Sequence, residues 1–309
     1  LKHQDLMIRT SWLYHVEGLT QAQIGDRMNL TRRRVNELLA VALEEGVVRI
    51  SFSARLADNV ELETKLCERF GLEDAIVVPT PVDPALLHAS LGRGAAAYLD
   101  RLIEARQPQA IGVGWGATLR ETVRHVSPRN APHLDIHSMM GGLTRGSEIN
   151  TFEIVRNFAQ VLNAQCHYFA APIYAGSRQS REAIISQPVF QEVFQAICNV
   201  DISYLSVGDV TSQSLQVKYG LPLGTDVQHL IEAGAVGDLL GRYLDIEGHQ
   251  IEHPLNDEVI SPQLENYQKI PCRIIASGGT HKQAILKAVL NAQLATVIVT
   301  DSDNAKALL

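Results

Sequence analysis

From Gly71 onward, short apolar, β-prone runs alternate with longer stretches of helical period, and this alternation restricts the fold more than any other feature. Runs at 75–78, 110–113, 134–138 and 166–170 are separated by helical patterns at 84–105, up to Val126, and at 152–162. The grammar resumes with 202–207, 227–232, 273–276, 283–291, 296–299 and 304–309. Strand, helix and strand in succession predict βαβ units, and hence an open parallel sheet with helices on both faces. The expected class is α/β, a Rossmann-like doubly wound sheet. No internal repeat or low-complexity tract interrupts it.

Glycines mark where such a sheet is used. They follow expected strands at Gly112, Gly114 and Gly116, at Gly141-Gly142, at Gly208 and at Gly278-Gly279. Loops at the carboxyl ends of parallel strands line one crevice, so these segments can converge on a single ligand. After Gly114-Trp115-Gly116-Ala117-Thr118 and after Gly278-Gly279 a helix starts at once, which leaves backbone N–H groups free for a phosphate or a polyol. Thr118 adds a hydroxyl there, and Lys282, next to His281, adds a positive charge. Taken singly, each such loop serves equally well to turn a strand into a helix.

The stretch 1–53 has a different character. Thr20 reads as the hydroxyl cap of a short helix that ends at Met28, with Gln21 on its first turn. Asn29 suits the left-handed conformation that closes a helix, Leu30 plugs the corner, and Thr31 caps a second helix. Small Gly25 is expected to admit a neighbouring helix closely, with Val35 and Leu38 facing inward. These offsets fit a helix-turn-helix whose second helix reads the major groove of double-stranded operator DNA. At its start stand Arg32, Arg33, Arg34 and Asn36, side chains that reach guanine, adenine and phosphate. Three cations sit poorly at the positive end of a helix dipole unless phosphates accompany them; otherwise they form a solvated face. Ahead of this pair, Leu6, Ile8, Trp12, Leu13 and Val16 predict a supporting helix stopped at Gly18. Residues 47–52 alternate as a short strand, either a wing whose Arg49 touches phosphate or a plain edge strand. Residues 53–58 read as a hinge into a helix over 60–70, which places the division between an N-terminal domain, 1–53, and a larger one, 54–309.

The formal charge of −7 excludes a protein that is basic throughout. Residues 1–53 carry +1 and the remainder −8, so binding to DNA has to rest on local arginines and paired half-sites, with strong salt dependence. Cys67, Cys166, Cys198 and Cys272 are scattered without metal-ligand spacing and read as buried thiols. No stretch approaches the roughly 20 apolar residues of a membrane span, and the start lacks a signal peptide's order, so a cytoplasmic location is expected.

The segments LTQAQIGDRMNLTRRRVNELL (19–39), IGVGWGATL (111–119), AGAVGDLLGRY (233–243) and SGGTHKQAILKA (277–288) together resemble the SorC family of sugar-responsive bacterial regulators, often grouped with DeoR-type repressors. The likeness runs essentially end to end. It implies a winged helix-turn-helix joined to a domain like the sugar-phosphate isomerases, used to sense a small sugar, sugar phosphate or polyol rather than convert it. It also implies a homodimer or homotetramer on a palindromic operator, with no cofactor and no metal. Carried over by residue, the phosphate-facing loop matches Gly114, Trp115, Gly116, Ala117 and Thr118, the acidic residue Asp238, and the late lysine Lys282. Where several relatives place a cation before the central glycine pair, this chain has Met140, which leaves an unphosphorylated ligand open.

Other readings have to be weighed beside these. Asp238 either accepts from vicinal hydroxyls or caps a turn, and capping is the favoured reading for Asp209. Trp115 either stacks on a sugar or plugs the end of the sheet. Lys282 could form a Schiff base with an aldehyde if its pKa were depressed. His133 and His137 on one strand read as core or surface positions, and Gly248 and Pro254 argue against a helical metal pair of His249 and His253. An isomerase- or aldolase-like enzyme needs a base such as Asp209, Asp238 or His281, yet no compact acid–base pair emerges. A nicotinamide-dependent enzyme is weakened because Ala117 stands at the third glycine of GxGxxG, although Asp135 falls near the expected acidic position.

Overall fold

The computed structural model describes residues 2–45, 47–48, 54–143 and 150–309. The chain divides into two compact units, Leu1–Leu56 and Ala57–Leu309. Arg49 and most of the strand expected around it lie outside the described residues, as does Ser53.

In the N-terminal unit, α1 (Lys2–His15), α2 (Gln21–Met28) and α3 (Arg32–Glu44) pack on two small cores. The first core joins Leu13, Ile24, Val35 and Leu39, and the second Met7, Leu38 and Ala42. Thr20 and Gln23 form a reciprocal capping box at α2, Asn29 closes it with φ 54° and ψ 46°, and Thr31 accepts from the Arg34 N–H at the start of α3. Two expectations need correction. What approaches Gly25 is the turn itself: a Cβ there would lie 2.7 Å from the Leu30 carbonyl oxygen. On α1 the buried stripe runs through Met7, Thr10, Ser11 and Leu13, while Ile8, Trp12 and Val16 are exposed. Hydropathy spacing alone misjudged the rotation, because two small hydroxyl residues occupy the packed face.

Helix α4 (Ala54–Phe70) leads into the C-terminal unit, so residues 54–58 are helical rather than a hinge. There follow β1 (Asp74–Val78), α5 (Leu87–Arg106), β2 (Ala110–Val113), α6 (Ala117–His125), β3 (Asp135–Ser138), α7 (Thr151–Leu162) and β4 (Gln165–His167). Next are α8 (Arg178–Ile185), α9 (Pro188–Cys198), β5 (Ile202–Leu205), β6 (Val207–Gly208), α10 (Val227–Glu232), β7 (Gly237–Leu239) and β8 (Arg242–Leu244). The chain ends with α11 (Pro254–Glu258), α12 (Leu264–Tyr267), β9 (Cys272–Ala276), α13 (Gln283–Asn291), β10 (Val297–Asp301) and α14 (Ser302–Leu308).

Seven strands form a parallel sheet in the order β1-β10-β9-β5-β2-β3-β4. Its central strands are apolar at successive residues because both faces are covered. Ile274 and Ala276 of β9, with Val297 and Val299 of β10, enter one core with α5, α6 and α7. Ile275 and Ile298 enter the other with α13 and α14. From β2 the chain winds outward through β3 to β4, and from β5 it winds the other way to β9 and β10. The switch point therefore falls between β2 and β5, which opens a crevice at their carboxyl ends.

A second, antiparallel sheet, β6-β7-β8, was not legible in the alternation. Its β7–β8 turn holds Leu240 and Gly241 at φ 56° and 74°, the double positive φ of a two-residue hairpin. The expected run at 202–207 thus breaks after Leu205 and changes sheets. Helices α8 and α9 were missed as well, although α9 carries an apolar stripe of helical period, Phe190, Val193, Phe194 and Ile197, that packs on the core. The four cysteines are free, but only Cys272 is buried.

Candidate effector crevice and candidate DNA-reading helix

Three strand ends build the crevice. Gly114 to Thr118 follow β2, Ser206 to Asp209 follow β5, and His281 and Lys282 come after β9, around a cavity of about 100 Å³. That is well below the ~300 Å³ at which drug-sized pockets begin, so it has room only for a small molecule. Gly116, at φ 126°, turns the chain so that α6 starts with its N-terminus beside the cavity.

Of the expected residues, Gly114, Trp115, Gly116, Ala117, Thr118, Met140, Asp238, His281 and Lys282 line this space. Gly141, Gly142, Gly278 and Gly279 do not. A Cβ on Gly141 would meet the Pro172 carbonyl oxygen and one on Gly142 the Phe152 ring, so this pair permits close packing. Gly279 donates its N–H to Asp301 at 2.9 Å, which shapes the loop that presents Lys282. Trp115 lines the cavity and also packs against the core.

The chemistry of the crevice lies in buried polar groups. Lys282 donates to the Val207 carbonyl at 2.5 Å; burial lowers its pKa, while Asp209 and Asp238 favour its charge. Asp238 accepts the Gly241 N–H at 3.0 Å through Oδ2, and burial pushes its pKa up to about 6. The other oxygen, Oδ1, is buried without a partner among the described residues, as are Ser214 Oγ and Gln216 Oε1. Unsatisfied buried acceptors of this kind cost roughly 1–3 kcal/mol each until a donor reaches them. Asp209 does cap a turn, accepting from the Thr211 N–H at 2.7 Å, and it also lies 3.8 Å from His281 Nε2.

Sequence reasoning missed His88, Ser206, Ser214 and Gln216, which come from α5 and from the segment after β5. His88 Nδ1 meets the Thr118 hydroxyl at 3.0 Å, and burial, followed by the Lys282 charge, lowers its pKa. Burial lowers that of His281 as well. The compact cluster absent from the linear sequence is thus assembled by the fold, although 3.8 Å between Asp209 and His281 is too long for a hydrogen bond.

Asp135 is not at the crevice. It begins β3, at the amino end of the sheet, and accepts from His167 Nε2 at 2.8 Å. An acidic residue that holds a dinucleotide ribose has to sit at the opposite end, so the spacing that left a nicotinamide cofactor open is coincidental. Beside it, His137 is buried, and its pKa falls to about 4 through desolvation and the neighbouring His167. His253 Nδ1 accepts the Leu255 N–H at 3.3 Å and caps α11.

On the N-terminal unit, Thr20, Thr31, Arg32, Arg33, Arg34 and Asn36 are exposed, and Gln21 is partly so. Gln21 Nε2 donates to Asn36 Oδ1 at 3.2 Å, which links α2 to α3. Glu37, which the sequence reading passed over, accepts from Arg33 Nε and from an Arg34 terminal nitrogen, each at 3.1 Å. This carboxylate answers the oddity of three cations at a helix start and holds two of them in a fan toward solvent.

A parallel sheet with a polar crevice at its switch point, together with a capped helix pair that exposes arginines, defines a ligand-sensing DNA reader. The family model described as "Putative sugar-binding domain" matches residues 54–309. The chain is 28% identical to the erythritol catabolism regulatory protein EryD of Brucella abortus, over 99% of this chain and 96% of that one. It is 29% identical to the transcriptional regulator LsrR of Escherichia coli K12, over 99% and 95%. Among solved structures, a DeoR family transcriptional regulator from Listeria monocytogenes matches with a TM-score of 0.74 and 25% identity, covering 81% of this chain and 99% of that one. The full-length sorbitol operon regulator SorC of Klebsiella pneumoniae shares the fold over 100% of this chain and 99% of its own, with a TM-score of 0.74 and 22% identity. The chain belongs to this sugar-binding family of SorC/DeoR-type transcriptional regulators.

Proposed function

We propose that the exposed start of α3 reads operator DNA and that a small, uncharged sugar or polyol in the crevice controls this binding. The observation that carries the ligand is that three residues lining one cavity, Asp238, Ser214 and Gln216, each keep a buried oxygen with no hydrogen-bond partner among the described residues. Vicinal hydroxyls are donors of the right size and number for them. The charges favour a neutral ligand over a phosphate. Lys282 is flanked by two carboxylates, both histidines are biased toward their neutral forms, and Met140 brings no cation. A relative named for erythritol catabolism supports the same choice.

The mechanism is a population shift in a cytoplasmic homodimer or homotetramer. A ligand preferred by one arrangement of the effector units changes the separation of two recognition helices, which have to lie about 34 Å apart to enter successive major grooves. Asp209 and His281 invite a second reading, turnover of a sugar phosphate, yet their separation supports sensing over proton transfer. A thermal-shift screen of polyols, sugars and their phosphates, followed by a gel shift with the best compound, tests the proposal. Stabilisation by phosphates alone would overturn the neutral ligand, and conversion of any incubated sugar phosphate would overturn the sensor.

A further inference from the structure

We propose that Asp135, His137 and His167 bind a divalent transition metal ion, zinc or a close neighbour, at the edge of the seven-stranded sheet. Asp135 begins β3 at the end away from the effector crevice, none of the three residues lines that cavity, and nothing in the proposed sensing role uses them. Strand alternation puts Asp135 and His137 on the same face of β3. The parallel register sets His167 of β4 directly beside His137, with their rings stacked 4.6 Å apart at 14°. One donor atom from each of the three residues lies within 4.8 Å of the others.

The distances suit a shared ion. Around a tetrahedral metal with bonds of about 2.0–2.1 Å, donors lie about 3.3 Å apart. Asp135 Oδ1 and His167 Nε2 are 2.8 Å apart, so a metal replaces the proton between them with an opening of about half an ångström. His137 closes the remaining distance by turning its ring, which unstacks it from His167. Two imidazoles and a carboxylate are the donor set of zinc and its late first-row neighbours rather than of magnesium or calcium. The neighbouring thiol is excluded from the set, because Cys166 pairs with Ile136 and so belongs to the other face. Side chains of His167 and Asp135 are 48% and 43% exposed, which gives the ion an entry path and leaves water its fourth position. Because β4 is a three-residue edge strand with β3 as its one strand partner among the described residues, such a link would pin it to the sheet.

The test is calorimetric titration of the chelator-treated full chain with Zn²⁺, repeated with Co²⁺ while its visible absorption is followed. The expected result is one ion per chain, an intense tetrahedral Co²⁺ spectrum, and a rise in Tm on adding Zn²⁺. His167→Ala and the volume-conserving Asp135→Asn should each weaken binding by about tenfold or more and abolish the rise in Tm. The chain has 11 histidines, so binding that both variants retain would place the ion elsewhere and overturn the proposal. Absence of binding at micromolar Zn²⁺ would overturn it too.

Discussion

The two polar surfaces assigned to binding are built on opposite principles. On α3 the cations are exposed, with 90% of the Arg33 side chain open to solvent; Arg33 and Arg34 share Glu37, and Arg34 also meets His3 Nδ1 at 3.4 Å. In the crevice Asp209 and Asp238 are buried beside the part-buried Lys282, burial raises the pKa of Asp238 and lowers that of Lys282, and three buried side-chain oxygens lack partners among the described residues. A polyanion many bases long is met from outside by charges that water and salt already screen. A small neutral ligand supplies no such field, so its site has to offer dry hydrogen-bonding groups that only the right hydroxyls satisfy. The comparison predicts that damage to the crevice abolishes a response, while damage to α3 grades an affinity.

The largest effect is expected at Asp238. Replacing it with alanine should weaken effector binding roughly 100-fold, from the ~2–3 kcal/mol of charge-assisted hydrogen bonding removed, with DNA affinity in the absence of effector retained. Isothermal titration and gel shift together read both halves. Next is Gly208→Ala, whose Cβ would lie 2.0 Å from Asp238 Oδ1. It should cost about 1–3 kcal/mol in denaturant unfolding and blunt the effector response by displacing that carboxylate. If Gly208→Ala behaved as wild type, the crevice would be looser than its packing implies.

Arg34→Ala should lower operator affinity roughly tenfold and reduce the magnitude of the slope of log K against log salt by about one, without changing ligand-induced stabilisation. An unchanged slope would remove Arg34 from the phosphate contacts. The pH dependence separates the two regions again. Asp238 binds its proton more tightly when folded, with a pKa raised from 3.8 to about 6, so it makes stability fall as pH rises between those values and adds no further change above them. Asp238→Asn should remove that fall, visible in Tm measured across the interval without effector. Smallest is Glu37→Gln, which releases Arg33 and Arg34 and should raise DNA affinity a few-fold at low salt, an effect that vanishes as salt is added.

The α/β class, the helix pair with its caps at Thr20 and Thr31, the left-handed Asn29 and the glycine loop after β2 could all be read from the sequence. Each is a local matter: a side chain caps its own helix, an apolar period fixes an element, and a glycine occupies a backbone angle others avoid. Only the tertiary structure decided which polar residues meet. His88 from α5, Ser214 and Gln216 after β5, Asp238 from a hairpin of the second sheet and Lys282 after β9 share one cavity, and nothing in their spacing announces it. Burial, which raises the pKa of Asp238 and lowers that of Lys282, is likewise a property of packing rather than of residue type. The same holds for Asp135, whose distance from the glycine loop suggested a cofactor contact until the fold placed it at the amino end of β3, with its side chain hydrogen-bonded to His167.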